Sequence, residues 1–314
     1  MEPLRVVFFG YHTFGARCLE RLLATGDTIA AVVTHADDPR ETIWFESVSD
    51  TARGHGLPVY TPTSPNTAEF VGLIRSLRPD LFVSVWYRRL LSPELLAIPG
   101  LGAVNLHGSL LPRYRGRSAL NWVLVNGEER TGVTLHYMVA AADAGDIIAQ
   151  EAMAIDPEDT ALTLYDRLVK VGTELLDRSY PAIRAGTAPR HPQDPALATL
   201  FGRRRPEDGR VSWRRPAPEL YNLIRAVTHP FPGAFATFGG RRLFVWGARV
   251  EPEAHHGEPG EVIAVRPSAG IVVATGAGGL LLIRVALEGE AEVAADEFAA
   301  RHGLRAGDRL EDGP

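Results

Sequence analysis

Apolar positions in the first 185 residues follow two rhythms that alternate along the chain. Unbroken apolar runs at residues 4–9, 29–34 and 80–86 read as strands covered on both faces, the first ending at Gly10. A shorter run at 102–106 leads into His107, and runs at 131–138 and 147–155 read as two further strands. Between them, apolar residues three and four apart mark helices at 14–24, 46–54, 67–77, 118–126 and 161–185. Strands separated by helices of this length predict an α/β fold with a doubly wound, mostly parallel sheet. Ligands of such sheets bind beyond the carboxyl ends of the strands.

The rhythm changes near residue 188, where three prolines fall within residues 188–196 without apolar periodicity. Beyond this stretch a helical pattern at 217–227 precedes short strand patterns at 234–238, 242–250, 260–265, 270–275 and 280–286, separated by glycine. The predicted organisation is a catalytic domain over 1–187, a linker over 188–200 and a smaller β-rich domain, barrel or sandwich, over 201–314. The longest apolar stretch, 269–283, is short and broken by glycine, so it predicts a hairpin rather than membrane insertion.

Composition narrows the function. Against 33 basic residues stand 38 acidic ones, a net charge of −5, which argues against a protein that lives on nucleic acid. Lys170 is the only lysine, and its context lacks the Gly-Lys pair of a phosphate-binding P-loop. With Cys18 as the only cysteine, neither an internal disulfide nor a cysteine-rich metal site can form, which fits a reducing cytoplasm. The N-terminus lacks the basic and apolar blocks of a secretion signal. Gly10 and Gly15 do not make a dinucleotide fingerprint, and His255-His256 reads as an exposed turn with nothing nearby to complete a metal set.

The densest chemistry is Asn105-Leu106-His107-Gly108-Ser109-Leu110-Leu111-Pro112, at the end of a predicted strand. Strand residues two apart share a face, so Asn105 and His107 are expected to be neighbours. The asparagine amide can donate to a developing oxyanion, and histidine suits proton transfer near neutral pH. Asp143, 36 residues after His107, follows the strand at 131–138 and is expected to return to the same edge, orienting the imidazole or a water. On spacing alone, the plainer reading is a turn capped by His107 and a loop carboxylate at Asp143, since Asn, His and Asp are all common in loops.

The segments NLHGSLLP, RYRG, TGVTLH and DAGDI resemble the 10-formyltetrahydrofolate-dependent formyltransferases. GRSALNWVLVNGEERTGVTLHYMVAAADAGDIIAQ, FGRRRPEDG, RAVTHPFPGAFA and VVFFGYHTFG are similar to the sugar-nucleotide branch of that family, and this likeness implies UDP-4-amino-4-deoxy-L-arabinose as the acceptor. This likeness is clear over about residues 4–250 and weak beyond. It implies formyl transfer from 10-formyltetrahydrofolate, without a metal, to an amine of a nucleotide-linked amino sugar. It also implies an OB-like C-terminal domain and small-molecule partners only. Asn105, His107 and Asp143 match the family's catalytic Asn, His and Asp.

By the same resemblance the pterin sits against Arg89-Leu90-Leu91 and the loop Val139-Ala140-Ala141-Ala142-Asp143. For Leu90 and Leu91, plain core packing is the alternative. Tyr87, Arg117, Arg203 and Arg204 are the implied acceptor residues, arginine being suited to a pyrophosphate. Tyr87 also reads as a core tyrosine, and Arg203-Arg204 as a solvated charge run. Trp86 stands where a smaller aromatic is expected, which leaves the acceptor open. The alternatives are N-hydroxyornithine, methionyl-tRNA and a non-catalytic folate-binding module. From Phe201 onward 15 arginines balance 15 acidic residues, which disfavours tRNA.

Overall fold

A computed structural model describes residues 2–38, 42–252 and 257–314, and His255-His256 lies outside these. The chain divides into two compact units, one of residues 1–119, 130–154 and 165–202, the other of 120–129, 155–164 and 203–314.

The first unit carries β1 (Arg5–Gly10), α1 (His12–Leu23), β2 (Thr28–Val33), α2 (Val48–Gly54), β3 (Val59–Tyr60), α3 (Ala68–Ser76), β4 (Leu81–Val85), α4 (Pro93–Leu96) and β5 (Ala103–His107). Along the chain follow β6 (Arg115–Gly116), α5 (Ala119–Val125), which belongs almost wholly to the second unit, β7 (Arg130–Tyr137), β8 (Ile147–Ala154) and α6 (Ala161–Arg184), whose first turn is also in the second unit, then β9 (Leu200–Phe201) after the proline-rich stretch. The main sheet runs β3-β2-β1-β4-β5-β7-β8. Its first five strands are parallel, and the chain switches sides between β1 and β4, where such sheets bind ligands. β7 is antiparallel to both β5 and β8. The residues between β7 and β8 are too few for the crossover that parallel pairing needs.

Burial explains why the strand runs are unbroken. Val6 and Phe8 are as fully buried as Val7 and Phe9, so both faces of β1 are covered. One face holds the cluster of Val7, Phe9, Val33, Phe70, Ile74, Phe82, Leu91 and Leu95.

The second unit follows with α7 (Ala217–Val227), β10 (Ala234–Phe238), β11 (Arg241–Glu251), β12 (Val262–Arg266), β13 (Gly270–Ala274), β14 (Gly279–Leu287), β15 (Val293–Ala294) and α8 (Ala295–His302). Its sheet, β10-β11-β14-β13-β12 with β15 beside β14, is antiparallel throughout. Trp213 is fully buried in this unit, and its indole N–H donates to the Glu311 carbonyl at 3.2 Å. The expected α/β architecture with a β-rich second domain is therefore present. α8 and the two-residue strands had no counterpart in the sequence reading. Among the described residues no helix is long and apolar enough to cross a membrane.

Candidate active site

His107 is the last residue of β5, and the HGSLLPRYRG run folds back over it. Its Nε2 lies 2.8 Å from the carbonyl oxygen of Tyr114. A carbonyl only accepts, so Nε2 carries the proton and Nδ1 is the nitrogen open to exchange. The loop is held from below. Thr134, opposite His107 on β7, donates to the Ser109 carbonyl at 2.7 Å and accepts from the Leu111 amide at 3.1 Å. Gln150 on β8 donates to the Leu111 carbonyl at 2.8 Å. Ser109 Oγ donates to the Arg113 carbonyl at 2.9 Å.

Asp143 reaches the site by a route the strand pattern does not show. β7 ends beside β5's first residues, with the Met138 amide on the Ala103 carbonyl at 2.7 Å. The connection to β8 then doubles back, bringing Asp143 Oδ2 to 3.6 Å from His107 Nδ1 and Oδ1 to 3.4 Å from Asn105 Nδ2. Asp143 itself adopts φ +50°, a left-handed conformation that aspartate tolerates better than most residues. Gly145 follows, where a Cβ would stand 1.9 Å from the Tyr137 carbonyl oxygen, so only glycine fits this turn.

Burial opposes ionisation of Asp143, but His107, His136 and the Gly116 amide together outweigh it and hold the carboxyl well below its ordinary range. The Gly116 N–H donates to Oδ2 at 2.8 Å.

Asn105 faces His136 directly across the β5–β7 pair. His136 Nδ1 lies 2.8 Å from the Tyr137 carbonyl and is therefore the protonated nitrogen. Its Nε2 accepts from Asn105 Nδ2 at 3.1 Å and lies 3.5 Å from Asp143 Oδ1. With two acceptors in front of it, the asparagine must present its NH2 here rather than its oxygen. The amide donates to His136 at 3.1 Å and, over a longer 3.4 Å, to Asp143 Oδ1. His136 is 2% exposed and was not singled out in the sequence, although it lies inside TGVTLH. Its signal is the register, which sequence alone does not give.

The remaining expected residues fall into three settings. Leu91 and Tyr87 both pack on the first unit's apolar cluster, as does Met138, the residue that opens the Asp143 loop. Tyr87 stacks on His35 at 4.4 Å, its buried hydroxyl has no hydrogen-bond partner, and burial pushes its pKa up to about 12. By contrast Leu90 is 60% and Val139 47% exposed, large apolar side chains left open on these two loops. Arg89, Ala140 and Ala141 are also exposed, and Ala142 is half-buried. Arg117 is exposed, and its amide donates to the Phe201 carbonyl at 2.9 Å. Arg203 and Arg204 belong to the second unit. Arg203 is exposed, whereas the Arg204 guanidinium lies 4.6 Å over Trp122 and donates to the Asp208 carbonyl at 2.7 Å.

The pattern of the formyl transferase family matches residues 4–179, and that of the formyl transferase C-terminal domain matches residues 204–303. The chain belongs to the formyl transferase family. An N-formyltransferase from Helicobacter canadensis, solved with folinic acid and dTDP-3-aminofucose, is similar at 20% identity, with a TM-score of 0.68 over 89% of this chain and 99% of that one. WlaRD, a sugar 3N-formyl transferase solved with dTDP and 5-N-formyl-THF, is 18% identical over 93% of this chain and 100% of that one, at a TM-score of 0.68. HypX from Aquifex aeolicus is 18% identical at a TM-score of 0.64 over 98% of this chain, which spans about half (49%) of its length. At these identities the likeness establishes a shared fold.

In this formyltransferase the site holds a proton acceptor at His107 Nδ1, an ionised carboxylate beside it and an amide donor at Asn105. Such a set suits addition of an amine to a carbonyl, where a proton must leave and a negative oxygen develops. Among the described residues no cluster of three or more His, Cys, Asp or Glu could hold a metal.

Proposed function

We propose that this chain transfers the formyl group of 10-formyltetrahydrofolate to the amine of a nucleotide-linked amino sugar, UDP-4-amino-4-deoxy-L-arabinose. Acting in the cytoplasm, it would serve lipid A modification. The observation that carries this reading is the convergence of Asn105, His107 and Asp143 on one face of β5. The folate supplies an activated formyl carbon. Leu90 and Val139, with the backbones of Arg89, Leu91, Ala140, Ala141, Ala142 and Asp143, would hold it. Open apolar side chains and the buried, unpartnered Tyr87 hydroxyl fit an aromatic bicycle with a polar edge.

His107 takes the proton of the attacking amine at Nδ1, because its other nitrogen is committed to Tyr114, and gives it to the folate nitrogen as the tetrahedral adduct collapses, the formyl carbon–folate nitrogen bond breaks and tetrahydrofolate leaves. Asp143 stabilises the resulting imidazolium. Asn105 would turn the N–H of its long 3.4 Å bond to Asp143 toward the developing oxyanion, keeping its bond to His136. Arg117, exposed on the first unit, would grip the pyrophosphate. The packing of Tyr87 against the core favours the folate side for this residue over the acceptor sugar.

The test is formyl transfer from 10-formyltetrahydrofolate to UDP-4-amino-4-deoxy-L-arabinose, two dTDP-amino sugars, N-hydroxyornithine and methionyl-tRNA, read by mass spectrometry. Preferential formylation of the UDP sugar is expected. Preference for another acceptor would overturn the substrate assignment, and folate binding without transfer to any amine would leave only a binding module.

A further inference from the structure

We propose that Gln193 is a positioning residue that sets the catalytic geometry of Asp143; this rests on the reading of Asp143 given above. Gln193 lies in the proline-rich stretch that sequence reading treats as a linker. Its Nε2 donates to the backbone carbonyls of Asp143 at 2.8 Å and Gly145 at 2.7 Å. Its Oε1 accepts from Arg115 Nε at 3.0 Å and Nη2 at 2.7 Å. Those four bonds fill the donor and acceptor capacity of a primary amide. Carbonyls only accept and a guanidinium only donates, so the orientation of the amide is fixed.

What Gln193 holds is the least regular part of the site. Asp143 sits at φ +50°, and Gly145 is pressed against the Tyr137 carbonyl. Such backbone persists only where its surroundings over-determine it. On its other side, Gln193 holds Arg115, whose neighbour Gly116 donates to Asp143 Oδ2 at 2.8 Å. The contacts close a ring: Asp143 backbone, Gln193, Arg115, Gly116, Asp143 carboxylate. The segment that carries Gln193 is itself fastened nearby. His191 and Ile147 exchange backbone bonds at 2.8 and 3.0 Å, and the Arg190 guanidinium lies 3.5 Å over the Tyr137 ring. β9, at the end of the segment, pairs with β6. One side chain thus fixes both the backbone of Asp143 and the amide that orients its carboxylate.

The test compares Gln193→Ala and Gln193→Glu with wild type. Glutamate keeps an acceptor for Arg115 but turns a carboxylate oxygen toward two carbonyl oxygens. Anchoring of Arg115 alone would therefore leave Gln193→Glu near wild-type activity. Positioning of Asp143 makes both variants lose about 100-fold in kcat, the cost of a small misplacement, while KM for 10-formyltetrahydrofolate moves little. A second readout needs neither substrate. In ¹H–¹⁵N spectra of the unliganded protein, the Gly116 amide proton, downfield through its bond to a carboxylate, moves upfield in both variants. Wild-type kcat or an unmoved Gly116 resonance in a folded Gln193→Glu protein would overturn the proposal. Should the alanine variant not fold, the glutamate variant carries the test. Asp143→Asn, assayed in parallel, separates the two claims: full activity there would remove the reading of the site itself, whatever Gln193 does.

Discussion

Replacing Asp143 by asparagine preserves shape and removes one charge. In wild type the carboxylate faces His107 Nδ1 at 3.6 Å, with the two side chains only 14% and 9% exposed. Two unit charges about 4 Å apart interact by about 4 kcal/mol at the effective dielectric of partly buried sites. That attraction exists only once His107 has taken the proton, so its loss falls on the transition state. At 1.36 kcal/mol per decade, about 4 kcal/mol corresponds to a fall of about 1,000-fold in kcat. The new amide also disturbs Asn105. Its oxygen must accept from the Gly116 N–H, which turns its NH2 toward Asn105 Nδ2, and both amides then compete for His136 Nε2. Single-turnover formyl transfer under acid quench measures the chemical step, with thermal unfolding as the check on folding. A folded Asp143→Asn protein that loses less than tenfold would refute the charge argument.

Two further perturbations probe neighbouring parts of the account. His136→Ala removes the acceptor that fixes the Asn105 amide, a bond of about 1 kcal/mol, so kcat should fall about 5–10-fold, and His136→Gln, which restores an acceptor oxygen, should recover part of it; unchanged kcat in His136→Ala would contradict that role. His12 is buried, stacked 3.7 Å from Phe45 and bonded to the Tyr165 hydroxyl, and burial first, then Arg88, lowers its pKa from 6.5 to about 3. Its unfolded form therefore binds more protons between those values, and the stability it contributes is present above pH 6.5 and lost as pH falls toward 3. At pH 5 the loss amounts to about 2 kcal/mol relative to pH 7, measurable by urea unfolding and absent from His12→Phe; equal pH slopes in the two proteins would rule it out.

The sequence made the fold legible where burial dictates pattern. Strands covered on both faces leave unbroken apolar runs, and the amphipathic helices between them show their period. Asn105 and His107 were readable because a strand puts alternate residues on one face. The reversal of β7 was also within reach, since too few residues separate it from β8 for a parallel crossover. α8 carries a stop signal, His302 in its last turn and then Gly303 at φ +69°, which the strand-rich surroundings obscured. Other features depend on register and long-range contact. His136 matters because it stands opposite Asn105, and Gln193 because a proline-rich segment returns to Asp143 from 50 residues away. The Tyr114 carbonyl, which fixes the tautomer of His107, belongs to the backbone and leaves no side-chain trace.

The central claim is that Asn105, His107 and Asp143 perform formyl transfer to an amine. Its most direct test uses 10-formyltetrahydrofolate labelled with ¹³C in the formyl group and UDP-4-amino-4-deoxy-L-arabinose as acceptor, with wild type beside His107→Ala. Labelled formamide product from wild type, reduced at least 100-fold in a folded His107→Ala protein, is the predicted result. Substantial turnover by that variant would contradict the account.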